Sequence, residues 1–216
     1  MLIGISGMIG AGKSTLTNKL TNYYKNSAML SEFENDDEIF NTFLQWLYEK
    51  KPNLALSFQT YVVENHTSKL DEIINLNQKN NNYLFLDRFS IEHYIFAYIN
   101  LKNLPKQYWN GYQQLFNILI TKKELPNLII YLDMNFDTFK KRLFARGRKV
   151  EIDNWESNEK YFKTLYQTYK PMFIELAQKY NLNYFIIETD NLNENEVFEK
   201  AKKIIENKGL NNDNSN

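Results

Sequence analysis

The chain contains no cysteine, which excludes disulfide bonds, thiolate zinc sites and a cysteine nucleophile. Histidine is almost as scarce, with only His66 and His93, so a histidine-rich metal centre is not expected. Net charge is missing too: 26 basic residues balance 26 acidic ones, and no overall field draws the chain to nucleic acid or an anionic membrane. No apolar run reaches the roughly 18 residues that a membrane span needs. Met1-Leu-Ile-Gly-Ile-Ser-Gly7 lacks the basic start and long apolar stretch of a secretory signal. No nucleic-acid or membrane partner is therefore expected, and the expected location is cytoplasmic. No linker rich in glycine, proline or serine divides the chain. Its 216 residues, 43% of them hydrophobic, suit one α/β domain over residues 1–208, followed by a polar tail at 209–216 that is expected to fray.

Five short, nearly continuous apolar runs read as strands: Leu2–Ser6, Ala28–Ser31, Tyr83–Asp87, Leu128–Asp133 and Tyr184–Glu188. Such runs suit strands buried on both faces of a parallel sheet. Segments of helical period lie between them: Lys13–Lys25, Asp37–Lys50, Leu54–Lys79, Glu92–Leu101, Lys106–Lys122, Phe136–Arg146, Trp155–Tyr180 and Glu194–Asn207. The alternation predicts right-handed crossovers and a doubly wound sheet.

Gly7-Met-Ile-Gly-Ala-Gly-Lys-Ser14 satisfies G-x-x-x-x-G-K-[ST] and sits where that motif works, after a strand and at the start of a helix. Gly7, Met8, Ile9, Gly10, Ala11, Gly12, Lys13, Ser14 and Thr15 are thus candidate ligands of a triphosphate. The glycines let backbone N–H groups turn inward, and the helix adds the positive end of its dipole. Lys13 would reach the β- and γ-phosphates and Ser14 would coordinate Mg²⁺. A chance match in a chain of this size is about one in a hundred or rarer. The expected fold is that of a P-loop kinase: a five-stranded parallel sheet flanked by helices on both faces.

Ligands of doubly wound sheets bind at the carboxyl ends of the strands. Glu32, Asp87 and Asp133 fall there. Glu32 is placed to accept the proton of an attacking hydroxyl. Asp87 suits Mg²⁺, and the adjacent Arg88 can offset charge at the acceptor oxygen. Asp133 is expected to cap the helix at Phe136. Arg142 and Arg146 share a helix face, Gly147 breaks the helix, and Arg148 follows on the connection. Three guanidinium groups on such a hinge suit a lid, about residues 142–153, that folds over the triphosphate.

Taken in order, these residues resemble the deoxynucleoside kinase family, which includes deoxycytidine, deoxyguanosine and deoxyadenosine kinases. The resemblance runs from the phosphate loop to about Tyr169. Besides Gly7–Ser14, it rests on Glu32 at the position of the family's Glu-Pro-Val base, Phe58-Gln59-Thr60-Tyr61, Asp87-Arg88, Tyr94-Ile-Phe-Ala and the lid arginines. It implies that Gln59 pairs with the base edge, where a carboxamide offers a donor and an acceptor side by side. It also implies that Tyr48 and Glu151 bind the sugar 3′-hydroxyl, that ATP and Mg²⁺ serve the reaction, and that the protein is a homodimer. Phe33, Phe40, Phe58 and Phe89 are candidate walls around the base, with a place in the core as the alternative. The departures are Phe33 in place of the proline, His66 where an arginine is frequent, and His93 where bacterial members often carry an acid. A base pocket lined by His66 and His93, each able to titrate near neutrality, is therefore expected to have unusual specificity.

A nucleoside monophosphate kinase is the nearest alternative, since Asp87-Arg88-Phe89 also fits that group; Gln59 and the Arg146-Gly-Arg148 lid argue against it. A GTP-dependent switch would need Asn-Lys-x-Asp, and Thr121-Lys-Lys-Glu124 is a poor match. A DNA-binding ATPase is remote for a neutral chain. Lys13→Ala and Glu32→Gln are each expected to lower kcat severely in a steady-state assay; a Glu32→Gln enzyme with near-wild-type turnover would remove that residue from the base role.

Overall fold

The computed structural model describes residues 1–31, 37–77 and 83–213, with Val150 and residues 209–213 described by their backbone alone. Five parallel strands form one sheet in the order β2-β3-β1-β4-β5: β1 Leu2–Gly7, β2 Ser27–Leu30, β3 Tyr83–Asp87, β4 Leu128–Asp133 and β5 Tyr184–Glu188. The helices that cover both faces are α1 Lys13–Tyr23, α2 Glu38–Tyr48, α3 Ala55–Asn77, α4 Ser90–Leu101, α5 Lys106–Leu119, α6 Phe136–Arg146, α7 Lys149–Ile152, α8 Trp155–Lys179 and α9 Glu194–Asp213. α1 packs with α9, while α3 packs with α4 and α5, and α4 with α8.

The apolar runs account for the centre of this arrangement. Ile3, Ile5, Phe85, Ile129 and Ile130 are fully buried on the three inner strands. Each large side chain of this kind contributes about 1.5 to 3 kcal/mol when taken out of water. The edges differ from the sequence expectation: Phe185 and Ile186 of β5 are each 39% exposed, because an edge strand has a neighbour on one side only. The chain leaves β3 on one side of β1 and enters β4 on the other. That reversal opens a crevice at the carboxyl end of β1, where the phosphate loop emerges.

Local chemistry sets the element ends. α1 stops at Tyr23, and the Ser27 hydroxyl donates to the carbonyls of Thr21 and Tyr24 at 3.0 and 2.7 Å, satisfying acceptors that the helix leaves open. Asp133 does not cap α6. Asn135 does, its Oδ1 accepting from the Thr138 N–H at 2.8 Å, because the chain runs two residues beyond β4 before it turns; Asp133 instead pairs with Lys170 of α8. The segment after Leu119 is not helical to Lys122. Thr121 caps a 3₁₀ turn at Lys122–Glu124, where both its N–H and hydroxyl donate to Glu124. This turn precedes β4 and so lies at the sheet edge away from the phosphate loop, which removes it as a guanine reader. α9 continues through Gly209 to Asp213, past the expected start of the tail, since glycine weakens a helix without removing its donor or acceptor.

Phe173 of α8 is fully buried, with its ring centroid 4.5 Å from Tyr131 of β4 and 5.5 Å from Tyr184 of β5. Phe173→Ala is expected to lower unfolding free energy by about 3 to 5 kcal/mol in urea titrations. A loss below about 1 kcal/mol would show that this helix–sheet contact is not a stabilising centre.

Candidate active site

The phosphate loop owes its shape to crowding and to left-handed backbone. A Cβ on Gly7, whose φ is +140°, would lie 2.4 Å from the carbonyl oxygen of Leu132 on the neighbouring strand. Gly12 precedes α1 at φ +93° with open space beside it, so the backbone turns there with no side chain over the cradle. Lys13 is buried, and its Nζ donates to the carbonyls of Gly7 at 3.0 Å and Met8 at 3.1 Å. The ammonium group thus spans the loop, poised where an anionic ligand would replace those carbonyls as partner. Ile9, Gly10, Gly12, Lys13, Ser14 and Thr15 border a cleft of about 620 Å³. Gly7, Met8 and Ala11 form the inner side of the loop, and Met8 and Ala11 belong to the core.

Asp87 ends β3 and borders the same cleft, as does Arg88. Arg88 has φ +76°, which costs a side-chain-bearing residue roughly 1 to 2 kcal/mol. Its N–H donates to the carbonyl of Ile5 at 3.1 Å, so the strained corner is tied to β1. The guanidinium is 2% exposed, lies 4.8 Å over the Phe96 ring, donates to Tyr169, and pairs with Glu92 at 3.2 Å. Burial pushes the Glu92 carboxyl above its usual range, opposed by Arg88, Lys13, Tyr169 and the Gly7 N–H.

The same cleft is also lined by Phe40, Leu44, Tyr48, Phe58, Gln59, Val62, His93 and Phe96. Gln59 and Tyr48 are both 3% exposed, so the carboxamide is no solvated helix position. Burial, reinforced by Tyr161 and Glu151, raises the Tyr48 hydroxyl well above its ordinary pKa. Phe40 and Phe58 are cleft walls, whereas Phe89 is core against Gly4. Phe33 and Glu32 lie outside the described residues.

Two expectations about the histidines are corrected. His66 does not line the cleft; it packs behind His93, ring centroids 4.7 Å apart. Nor does His93 titrate near neutrality. Burial, then His66 and Arg88, hold its pKa well below the ordinary value, so the imidazole facing the cleft is neutral.

The three arginines expected to form a lid have different partners. Arg142 holds the end of β5, its guanidinium donating to the Thr189 hydroxyl at 2.9 Å and the Thr189 carbonyl at 2.7 Å. Arg146 pairs with Glu151, and Arg148 lies 3.6 Å from the same carboxylate. Gly147, at φ +72°, ends α6 between them. Glu151 is 1% exposed and Arg148 43%, so the acid is held inside while the cation faces solvent. All three arginines and Glu151 border the cleft.

Among the described residues there is no cluster of three or more histidine, cysteine, aspartate or glutamate side chains able to hold a metal. Ser14 and Asp87 on the cleft wall still fit Mg²⁺, which takes few protein ligands and completes its shell with water and phosphate oxygens. No helix among the described residues is long and apolar enough to cross a membrane. Sequence reasoning passed over Glu92, Phe96, Asn100, Tyr161 and Tyr169; for Glu92 a signal existed, since it stands four residues after Arg88.

A phosphate loop, an acid–arginine pair and three further arginines around one crevice of a five-stranded parallel sheet define a P-loop kinase. The Deoxynucleoside kinase family matches residues 3–209, and the chain belongs to that family. It is 34% identical over 192 residues to an uncharacterised protein of Mycoplasma genitalium, covering 86% of this chain and 82% of that one. It is 30% identical over 180 residues to the deoxyguanosine kinase of Lactobacillus johnsonii, covering 80% and 76%. Its fold is similar to that of deoxyadenosine kinase from M. mycoides, solved with the products dCMP and dCDP: TM-score 0.78, 22% identity, 96% of this chain and all of that one covered.

A histidine kept neutral by the fold contributes stability that is present above the unfolded pKa of about 6.5 and is lost as pH falls towards the folded value. Between pH 7.5 and 5.5, wild-type unfolding free energy is expected to fall more than that of His93→Gln, by about 1 kcal/mol. Equal slopes in urea titrations would show that His93 is protonated without cost.

Proposed function

We propose that the protein transfers the γ-phosphoryl group of ATP to the 5′-hydroxyl of a deoxynucleoside. The observation that carries this reading is one cleft bordered together by the phosphate loop, Asp87-Arg88, Gln59 and Tyr48. Such a layout suits in-line transfer, where positioning and electrostatics supply most of the catalysis.

In the proposed mechanism, Lys13 leaves the Gly7 and Met8 carbonyls for the β- and γ-phosphate oxygens. Ser14 and Asp87 would hold Mg²⁺, which would supply neutralisation of the phosphate charge. Arg88 faces the acceptor oxygen and offsets its developing charge. Glu32 takes the hydroxyl proton, a role resting on its sequence position. Gln59 pairs with the base, with neutral His93 beside it, and Tyr48 and Glu151 hold the sugar. Arg146 and Arg148 swing from Glu151 to the phosphates as the lid, residues 142–153, closes and excludes competing water. Arg142 holds the base of that lid against β5. We take residues 1–208 as one catalytic domain acting in the cytoplasm as a homodimer. Leu76 of α3 and Ile118 of α5, each 75% exposed, support a contact through those helices.

The test is a labelled-ATP assay across the four deoxynucleosides and their monophosphates with Mg²⁺. At least one deoxynucleoside is expected to yield its 5′-monophosphate with matching ADP. Consumption of monophosphates alone, or no acceptor-dependent ADP, would overturn the reading.

A further inference from the structure

Glu92 is completely buried and does not line the cleft, yet it touches both Gly7 of the phosphate loop and Arg88 of the cleft wall. Its Oε2 accepts the Phe89 N–H at 3.2 Å, which is the contact that a cap at the start of α4 requires. Its Oε1 does something a cap does not need. That oxygen accepts from the Gly7 N–H at 3.3 Å, from Arg88 Nη1 at 3.2 Å, and from the Tyr169 hydroxyl. Gly7 opens the phosphate loop, and Arg88 is the cation on the acceptor side. Tyr169 comes from α8, the helix that follows the lid, and also receives a hydrogen bond from Arg88. A buried carboxylate is costly, so a helix start alone would be met more cheaply by serine or threonine.

We infer that Glu92, with Tyr169, is a positioning residue for phosphoryl transfer: it fixes the Arg88 guanidinium relative to the first amide of the phosphate loop. The inference rests on the reading of Arg88 as the group that faces the acceptor oxygen. Arg88 stands on a strained corner, and the placing of its long side chain depends on the partners it meets there. With Glu92 in place, donor cradle and acceptor-side cation form one unit. Burial of Glu92, which pushes its carboxyl up, is offset by Arg88, Lys13, Tyr169 and the Gly7 N–H. Two of the cleft's cations, Arg88 and Lys13, thus oppose the effect of burial on this acid, and it in turn orders one of them.

Glu92→Gln keeps size and one acceptor oxygen but removes the charge. Displacement of a reacting group by about 1 Å costs on the order of 10²-fold in rate. Glu92→Gln is therefore expected to lower kcat by about 10²-fold, with KM for ATP and deoxynucleoside within about threefold. Glu92→Asp, which restores charge without reach, is expected to recover part of that loss. Because Glu92 acts through Arg88, adding Glu92→Gln to Arg88→Ala should cost little more than Arg88→Ala alone. A Glu92→Gln enzyme with kcat within twofold of wild type, or a loss that adds in full to that of Arg88→Ala, overturns the inference. Should Glu92→Gln fail to fold, Tyr169→Phe decides: a fall in kcat that vanishes in the Arg88→Ala background supports it, and an unchanged kcat refutes it. Wild-type turnover is measured first. If no deoxynucleoside is phosphorylated, the functional reading fails by itself. The positional claim is then read from crystal structures of Tyr169→Phe and Glu92→Gln, in which an unmoved Arg88 guanidinium would refute it and a displaced one would support it.

Discussion

Gly7 lies so near β4 that a Cβ there would come within 2.4 Å of the Leu132 carbonyl oxygen. This close approach lets β1 pair with β4 up to its last residue, with Gly7 opposite Leu132, and then turn sharply into the phosphate loop. Because β1 is the central strand, the loop emerges where the chain crosses from one half of the sheet to the other. The ends of β3 and β4 flank it there, and Asp87 and Arg88 are delivered to the same crevice by parallel pairing alone.

A second layer of interactions turns that crevice into an electrostatic device. Cations dominate its walls: Lys13, Arg88, Arg142, Arg146 and Arg148 all border the cleft. Each is held by an acceptor within the protein. Lys13 spans two carbonyls, Arg142 grips Thr189, Arg88 pairs with Glu92, and Arg146 with Glu151. Such a site is prepared for a polyanion without being left with uncompensated buried charge. Glu92 and Glu151, both buried, differ in what they hold. Glu92 organises the fixed floor beneath the loop, and Glu151 the short helix α7 of the lid.

Other walls of the cleft have the opposite character. Aromatic and aliphatic walls surround Gln59, and the histidine facing it is neutral because burial makes its charged form costly. A flat, neutral ring with hydrogen-bonding edges suits those walls, as a triphosphate suits the cations. Asp87 and Arg88 border the same cleft as both groups of residues.

The five strands were readable from composition because each is a short, almost wholly apolar run, and all five begin and end within a residue of the predicted bounds. The phosphate loop was equally legible, since its glycines, lysine and serine are required by local backbone geometry and sit in consecutive positions. Caps and edges were less so. Asp133 and Asn135 are both good caps in sequence, and only the direction in which β4 leaves the sheet decides between them. The histidines misled for a related reason: a pKa depends on how much water remains around the ring, and nothing in the residues beside His93 reports that burial. Glu92 shows the limit most clearly. Its partners Gly7 and Tyr169 lie 85 and 77 residues away along the chain, so their meeting is a product of strand pairing and helix packing. Sequence by itself determined the elements and the phosphate chemistry, which are local. The tertiary structure alone decided which charges were buried together, because desolvation and long-range contact exist only after the chain has closed on itself.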